Sequence, residues 1–334
     1  MRRWNLLLAG ALCAQLLIAG ALSMRHDALA NTAPDTPLLG ARAGGADRIV
    51  IEAPAPTGGS APQRVELLRR GKGWVVHSAW DVPASRQKVE DLLSRLASLR
   101  RGLPIADTAD ALDRFEVDHR HFDLRLSLSR TGKTFATLYL GKSAGLRKTD
   151  ARLAGERAVY TVGIDSYSLP ADAARWTKAD LLQVSEDRLA TIAVEGIHGG
   201  RIDLARDLPP GKPAGPWKAT GLGPGHTLDT AKADALARGV AELRVSKVLG
   251  TAADPDWRFD APAAKLTIGD TSGSTATWTL AKPKSGDFVV LKSSTEPWYF
   301  QLTDADAAPL LAAAAPGGLD AAAAKAVRPA PHRR

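Results

Sequence analysis

Apolar residues spaced three and four positions apart mark a helix that follows a tryptophan-containing strand early in the chain. The strand is Gly73-Trp74-Val75-Val76-His77, and the helix is predicted over residues 85–101. A helix with 3.6 residues per turn places this apolar stripe on one face. Ser85 can cap the first turn with its hydroxyl, and Gly102 followed by Pro104 ends the helix. The stripe consists of Val89, Leu92, Leu93, Leu96 and Leu99.

The same pattern returns about 144 residues later. Trp217-Lys218-Ala219 takes the place of the first strand, and residues 230–245 are predicted to form the second helix. Beyond the helix the offset shrinks to 140, so that residues 138–142 match residues 278–282. The shared order of strand, helix, Arg-Phe turn and three further strands predicts an internal duplication. Matched positions include Leu92 with Leu236, Leu96 with Val240, Leu99 with Leu243, Phe115 with Phe259 and Tyr160 with Phe300.

Alternating apolar and polar residues predict strands around each helix. The clearest case is residues 122–129, where Phe122, Leu124, Leu126 and Leu128 alternate with polar side chains. Two more helices are predicted, at residues 170–182 and 304–314. Each half is therefore expected to be a mostly antiparallel sheet with a helix against it, which is an α+β fold class. Further strands are predicted at 48–52, 65–69, 134–140, 158–162, 191–194, 201–205, 265–268, 275–280, 288–292 and 298–302.

The N-terminus carries a membrane-targeting pattern. Arg2-Arg3 precedes residues 4–22, which are apolar except for Asn5 and Gln15. At about 1.5 Å of rise per residue, this stretch is just long enough for a single-pass transmembrane helix. The arginines would stay in the cytoplasm and the rest of the chain would be exported. Alternatively, Ala28-Leu29-Ala30 resembles a signal-peptidase site that would release a soluble protein, but the apolar stretch is longer than a usual signal core, which favours an uncleaved anchor.

These patterns together divide the chain into five segments. Residues 1–30 are the anchor or signal peptide, and residues 31–47, rich in Ala, Gly and Pro, form a linker. Residues 48–182 make the first α+β repeat and residues 190–315 the second. Residues 316–334 are predicted to be a flexible tail.

The charge and the cysteine content limit the cellular compartment and the kinds of partner that the sequence suits. The net charge is +8, but the basic residues are scattered, and Arg69-Arg70 and Arg100-Arg101 are the longest basic runs in the folded part. A solvated surface is therefore favoured over nucleic-acid binding. The single cysteine, Cys13, lies within the predicted span. The folded part consequently has no disulfide, no cysteine-ligated zinc and no cysteine nucleophile, and it suits an oxidising compartment.

Two Gly-Lys-Ser/Thr sequences resemble the end of a phosphate-binding P-loop. They are Gly132-Lys133-Thr134 and Gly141-Lys142-Ser143. A P-loop also needs a glycine five residues before its second glycine, and those positions hold Ser127 and Ala136. Hairpin turns are predicted at both places.

Histidines offer the remaining candidate chemistry. His119 and His121 would share one face of a strand, but the sequence shows no third metal ligand, so a surface turn is predicted. His226 has no acidic partner at a recognisable spacing. A Gly-x-Ser-x-Gly elbow is absent, although a catalytic triad can also assemble from distant residues. We predict no catalytic, cofactor-binding or metal-binding residues and no cofactor.

The order of these features resembles a known family. It resembles the bacterial envelope proteins catalogued as domain of unknown function 4340, over roughly residues 38–315. Its members are often encoded beside gliding-motility-type ABC transporter components, which implies ABC-type membrane subunits as partners. The family implies no catalytic residues, and Ala281 stands here where the first half has Gly141. The features are residues 47–52, Gly73-Trp74, the leucine-rich helix, Leu140-Gly141-Lys142, Ala158-Val159-Tyr160 and a second copy.

Three function classes remain. The leading expectation is a non-enzymatic accessory protein, tethered to the bacterial inner membrane by residues 4–22, with its bulk in the periplasm and serving an ABC-type complex. The alternatives are an envelope glycan-binding module and a hydrolase with an unrecognised site. A deep pocket of converging titratable groups would favour a hydrolase, an exposed aromatic strip a glycan binder, and an apolar patch an interaction protein. The sequence does not specify the oligomeric state.

Overall fold

The computed structural model describes residues 36–55, 61–196, 200–211 and 213–321, together with Gln15. This part of the chain contains two antiparallel sheets of eight strands, one two-stranded sheet and few helices. The predicted α+β class with antiparallel strands is confirmed. The chain divides into two compact units, of which the first comprises the described residues up to Arg64 and residues 87–171. The second comprises residues 65–86 and the described residues from Asp172 onward.

The helices and strands have the following bounds. The helices are α1 Arg86–Ser98, α2 Ala109–Arg114, α3 Ala173–Trp176, α4 Thr230–Ala241 and α5 Asp304–Ala314. The earlier strands are β1 Thr36–Pro37, β2 Arg48–Ala53, β3 Gln63–Arg70, β4 Gly73–Val76, β5 Val82–Pro83, β6 Arg100–Arg101, β7 Leu124–Arg130, β8 Lys133–Ser143, β9 Thr149–Leu153 and β10 Tyr160–Val162. The later strands are β11 Leu189–Gly196, β12 Arg201–Ala205, β13 Lys218–Thr220, β14 Lys247–Gly250, β15 Ala264–Asp270, β16 Thr275–Ala281, β17 Val289–Ser293 and β18 Tyr299–Leu302.

The two large sheets have corresponding strand orders. The first sheet runs β10-β9-β8-β7-β2-β3-β4-β5, and the second runs β18-β17-β16-β15-β11-β12-β13 with β14 added beside β18. In each sheet an antiparallel strand pair, β3-β4 or β12-β13, lies on one side of the central strand, which is β2 or β11, and the first sheet adds β5 there. A meander of four consecutive antiparallel strands, β7–β10 or β15–β18, lies on the other side. The small sheet pairs β1 with β6.

Strand register repeats as closely as strand order. In the first sheet Leu126 pairs with Leu138, and in the second Leu266 pairs with Trp278, so both strands of the pair are shifted by the same sequence offset. That offset also carries the pair Tyr160 and Ala151 onto Phe300 and Leu291. Because a slip by one residue would move every side chain to the other face, a constant offset keeps the same positions buried in both sheets.

The two main helices bury the predicted apolar stripes. Leu92, Leu99, Leu236 and Leu243 are all buried. The predicted starts are close to the observed ones, but both predicted helices are too long, because α1 ends at Ser98 and α4 ends at Ala241. Residues 100–101 instead pair with β1. The Asp229 carboxylate caps α4 by accepting hydrogen bonds from the first-turn backbone.

The predicted helix at residues 170–182 is wrong, because only Ala173–Trp176 is helical. Tertiary pairing ends it: Ala84 forms an antiparallel bridge with Thr177, and the Lys178 amide donates to the Pro83 carbonyl at 2.9 Å. The helix predicted at residues 304–314 is confirmed as α5. Thr303 caps it by accepting a hydrogen bond from the Asp306 amide at 3.2 Å. The sequence pattern also missed α2, β14 and β9, the last of which lies in residues 142–157, a stretch predicted to be a basic loop.

The chain termini differ in how far they are described. Apart from Gln15, the predicted span at residues 4–22 lies outside the described residues. No helix in the described part is long and apolar enough to cross a membrane. Within the predicted linker, β1 and a 3-10 helix at Gly40–Gly45 are formed. At the start of the predicted tail, Leu319 is buried and Asp320 bridges Leu228.

Candidate interaction surface

The histidine segment is a turn at the surface. Val117 and Phe122 form an isolated antiparallel bridge on either side of it. The His119 ring lies 2.8 Å from an Asp118 carboxylate oxygen and is largely exposed. The Arg120 amide, and then hydrogen bonds from His119, lower the pKa of Asp118. Among the described residues, no group of three His, Cys, Asp or Glu side chains could hold a metal ion.

The two Gly-Lys sequences have different structures. Thr131 and Gly132 make the β7–β8 hairpin turn with φ angles of 49° and 77°, as predicted. The second prediction is wrong, because Gly141-Lys142-Ser143 lies inside β8. A Cβ on Gly141 would lie 1.9 Å from the Phe115 carbonyl oxygen, so this strand passes close to another backbone segment. Neither sequence forms the strand-to-helix loop that a P-loop requires.

His226 has an acidic partner that the sequence spacing could not reveal. Its Nδ1 contacts a carboxylate oxygen of Asp320, which lies far away in the sequence. Asp320 belongs to the segment that bridges Leu228 ahead of α4, and its carbonyl accepts from Lys232 Nζ at 2.8 Å. The pair therefore helps to fasten this C-terminal segment to the start of α4.

The strand tryptophans are core residues rather than a binding strip. Trp74, Trp217 and Trp278 are buried. The Arg69 guanidinium lies 4.8 Å from the Trp74 ring, and Arg206 lies 4.5 Å from the Trp217 ring. The indole nitrogens of Trp74 and Trp217 have no hydrogen-bond partner among the described residues. This burial favours packing over stacking on sugar rings.

Two arginines that the sequence pattern does not mark are buried. Arg152 donates to the Val117 carbonyl at 2.8 Å and to the Glu156 carbonyl at 3.0 Å. Arg206 donates to the Leu189 carbonyl at 3.0 Å. Both guanidinium groups satisfy backbone carbonyls where loops meet a sheet, which is a structural role. The available signal was weak, because each arginine simply lies at or next to a strand end.

Four surface grooves are large enough to hold a ligand, but few titratable side chains converge in them. They measure about 700, 660, 460 and 260 Å³. The largest lies along α4 and α5, and its charged lining mixes signs through Arg238, Arg244 and Asp306. Burial raises the pKa of Asp123 and lowers that of Lys292, but neither residue lines these grooves. The arrangement does not single out an acid–base pair in any of the four.

Exposed apolar side chains are concentrated in the first unit. Four of the five large hydrophobic residues that are exposed in the described part belong to it, and the fifth is Trp80 in the second unit. The four are Leu103 at 54% exposure, Ile105 at 45%, Leu146 at 92% and Tyr167 at 92%. We call residues 103–106 the edge segment, because Ala106 bridges Val159 beside β10 at the border of the first sheet.

The equivalent border of the second sheet is covered by other residues. There β14 forms a regular edge strand that pairs with β18. A Cβ on its last residue, Gly250, would lie only 3.6 Å from the Trp80 ring, and residues 77–79 also pack beside the strand. Within the second unit, this edge is therefore covered. The edge segment is thus the place where an apolar border stays exposed.

Comparison with known proteins agrees with the resemblance seen in the sequence. A family model described as Domain of unknown function (DUF4340) matches residues 74–262, which is more than half of the 334-residue chain. Neither the curated proteins nor the solved structures contain a match. The match identifies a family and no specific role. The chain belongs to the DUF4340 family.

Proposed function

We propose that this protein is a non-enzymatic accessory protein that binds a membrane subunit of an ABC-type transport complex. Residues 4–22 would tether it to the bacterial inner membrane, with residues 48–315 in the periplasm. The apolar stretch behind Arg2-Arg3 and the absence of cysteine from residues 14–334 support this location.

The edge segment carries the proposal. Leu103 and Ile105 expose about half of their side chains at the border of the first sheet. Natural proteins usually shield sheet borders, because apolar edges attract other chains. The second sheet shows such a shield over β14, so an exposed equivalent indicates an unfilled docking position. A partner strand or helix could bury both side chains there.

The proposed tether strengthens a weak contact of this kind. A protein held by residues 4–22 samples a thin layer beside the membrane, where its local concentration near a membrane subunit is high. Two exposed aliphatic side chains can then suffice for a functional complex. This explains how a small apolar border can serve a transport complex without the large interface of a permanent dimer.

Crosslinking in cells tests the partner. A photo-crosslinking residue at Ile105 in the full chain should capture ABC-type membrane subunits, because those subunits would lie on the edge segment. The same residue at Ser94, an exposed position on α1, is the matched control. Equal capture at both positions, or capture of glycan alone, would reject this partner. Recovery of a mature N-terminus at Asn31 would separately reject the tether.

We also propose that the two halves are copies of one ancestral unit. A single constant offset across three strand pairings supports this origin. The Ser127–Thr137 hydroxyl contact of 3.3 Å recurs as Thr267–Thr277 at the same distance. Independent sheets of the same order would not be expected to share such side-chain pairs.

One observation favours the glycan-binding alternative. Trp80 exposes 49% of its surface, and the Trp298 ring nitrogen donates to its carbonyl at 2.8 Å. An exposed tryptophan beside a second indole can stack on sugar rings. If the protein binds glycan, Trp80→Ala should abolish co-sedimentation with peptidoglycan, whereas Ile105→Ala should not. Unchanged sedimentation in Trp80→Ala would reject this alternative.

A further inference from the structure

The loop at residues 144–148, which we call the Leu146 loop, holds an apolar side chain out into solvent. It connects β8 to β9, and its own backbone closes it: the Ala144 amide donates to the Lys148 carbonyl at 3.0 Å. Gly145 and Arg147 take positive φ angles of 118° and 55°. Leu146 lies between them with 92% of its surface exposed. A closed loop of this kind fixes the position of the leucine instead of letting it collapse onto the sheet.

Tyr167 lies at the same end of the sheet. Thr149, at the end of the Leu146 loop, pairs with Val162 at the end of β10. The chain then enters the 3-10 turn Ser166–Ser168, whose Tyr167 is also 92% exposed. The Asp165 carboxylate holds this turn by accepting from the Ser168 amide at 2.9 Å. Two almost fully exposed hydrophobic side chains therefore lie on connections that meet the sheet at neighbouring strand ends, Leu146 before β9 and Tyr167 five residues after β10.

The charged residues of the Leu146 loop and its start are all basic. Residues 142–148 contain Lys142, Arg147 and Lys148 and no acid. Lys142 pairs with Glu116 at 3.4 Å. Arg147 and Lys148 make no side-chain hydrogen bond or ion pair with any described residue. The loop thus offers two available cations beside an exposed apolar tip.

The equivalent hairpin of the second sheet lacks this combination. An offset of 140 places Gly286 where the first sheet has Leu146. The nearby Lys284 is held by Asp256 at 2.8 Å. The combination of an exposed leucine with adjacent available cations is therefore not a general property of this hairpin. The second loop keeps an exposed Lys282, but it has glycine in place of the leucine and adds the negative charge of Asp287.

We propose that the Leu146 loop and Tyr167 form a contact site for an anionic phospholipid surface. Leu146 enters the boundary between headgroups and acyl chains, and Tyr167 lies at headgroup depth, where amphipathic rings are favoured. Arg147 and Lys148 bind lipid phosphates. The positive charge of the loop selects an anionic partner. An anionic membrane fits better than an acidic protein surface, because a bilayer accepts a leucine and a tyrosine without requiring a shaped pocket. This site goes beyond the proposed partner and requires neither the transporter nor a retained anchor.

A fluorescent label can test the site in the full chain. In a Cys13→Ala background, Leu146→Cys is labelled with the environment-sensitive dye NBD. The protein is placed in lipid nanodiscs that contain phosphatidylglycerol or only phosphatidylcholine, or is mixed with vesicles of these lipids if it proves soluble. Ser285→Cys, an exposed position in the equivalent hairpin, provides the matched label.

We expect the label at position 146, and not at position 285, to become brighter and blue-shifted with phosphatidylglycerol. Lipids carrying a quencher on the acyl chain should quench it. Replacing Arg147 or Lys148 with Gln should lower the ratio of membrane-bound to unbound label about fivefold for each charge removed. Because these side chains are exposed, the variants should remain folded.

Three results would overturn the lipid site. They are equal responses at the two label positions, equal responses in the two lipids, and a response at position 146 that appears without lipid as protein concentration rises. The last would show self-association instead. Failure of the Ile105 crosslink to capture a transporter subunit would leave this experiment unaffected, so the two proposals fail separately.

Discussion

After its last meander strand, the second sheet continues into a helix of 11 residues, whereas the first sheet continues into a 3-10 turn and only four helical residues. The helix α5 buries Leu310 and packs against α4. The shorter connection leaves Tyr167 almost fully exposed. The same strand order therefore supports one half that covers its apolar residues and another that presents them. This difference is the reason that both proposed contact sites lie in the first unit.

Two equivalent cations, a buried arginine and a half-buried lysine, show a second difference between the sheets. Arg152 in β9 and Lys292 in β17 occupy matching positions, and each donates to the carbonyl of the glutamate four positions later, Glu156 or Glu296. Arg152 also donates to Val117. Burial lowers the pKa of Lys292, although the Glu296 charge opposes this. Arginine keeps its charge and can donate to several carbonyls, so the cation in the first sheet forms more hydrogen bonds than its counterpart in the second.

The largest expected effect tests whether the two helices are equivalent. Leu92→Ala and Leu236→Ala should each lower the free energy of unfolding by about 2–5 kcal/mol, because each removes a fully packed side chain and leaves a cavity. Urea unfolding followed by tryptophan fluorescence measures both. Ser94→Ala, on the exposed face of α1, is the control. A cost near that control for either leucine would break the equivalence.

The second effect should separate the two cations. Arg152→Met leaves the Val117 and Glu156 carbonyls without their donor and should cost about 2–3 kcal/mol of unfolding free energy. Lys292→Met loses a single described bond and also removes a desolvated charge, so its cost should be about 1 kcal/mol or less. Thermal or urea unfolding of both variants provides the comparison. Equal costs would mean that the additional arginine contacts contribute nothing.

The third effect concerns a glycine that only one sheet needs. Gly141→Ala should cost about 1–3 kcal/mol, because the new Cβ would lie 1.9 Å from the Phe115 carbonyl oxygen and the backbone must move. The equivalent Ala281 is buried without such a conflict, so Ala281→Gly should cost only about 1 kcal/mol. Urea midpoints of the two variants measure this. A tolerated Gly141→Ala would show that the close approach is not maintained in solution.

Much of this architecture could be predicted from local patterns. The stripe from Val89 to Leu99 and the alternation in residues 122–129 place the correct side chains in the core, because burial imposes those periods. Local patterns gave the wrong secondary structure where pairing with a distant backbone segment determines it. Residues 177–178 leave the predicted helix to pair with residues 83–84, and Arg100-Arg101 pair with β1.

The candidate surface was less predictable than the fold. Leu146 looks like any residue of a basic loop, and its exposure depends on a closed loop with left-handed backbone at Arg147. The exposure of the edge segment stands out only when it is compared with its counterpart β14. The sequence of β14, Lys-Val-Leu-Gly, is short and does not alternate between polar and apolar residues. Arg152 and Asp320 were overlooked for a related reason, since their partners are distant in sequence.

The smallest effect sharpens the comparison at the start of β7. Asp123 donates its amide to the Leu140 carbonyl at 2.9 Å, and its counterpart Ala263 donates to Leu280 at 2.8 Å. Desolvation, and then repulsion from Glu116, raises the pKa of Asp123. The folded protein therefore holds this proton to higher pH than the unfolded chain does, and stability from this group falls as pH rises from the usual value of 3.8 through the raised pKa.

Asp123→Asn should consequently stabilise the protein at neutral pH, where the wild-type carboxylate is charged, and the gain should vanish below pH 3.8. Because the side chain remains partly in water, we expect a gain on the order of a few tenths of a kcal/mol. Unfolding free energies of both proteins across acidic to neutral pH give the difference directly. Asp287→Asn, in an exposed loop of the second unit, controls for the loss of one negative charge from a protein of net charge +8. A gain of equal size in that control would attribute the effect to overall charge, and destabilisation by Asp123→Asn at neutral pH would show that the carboxylate stabilises the fold.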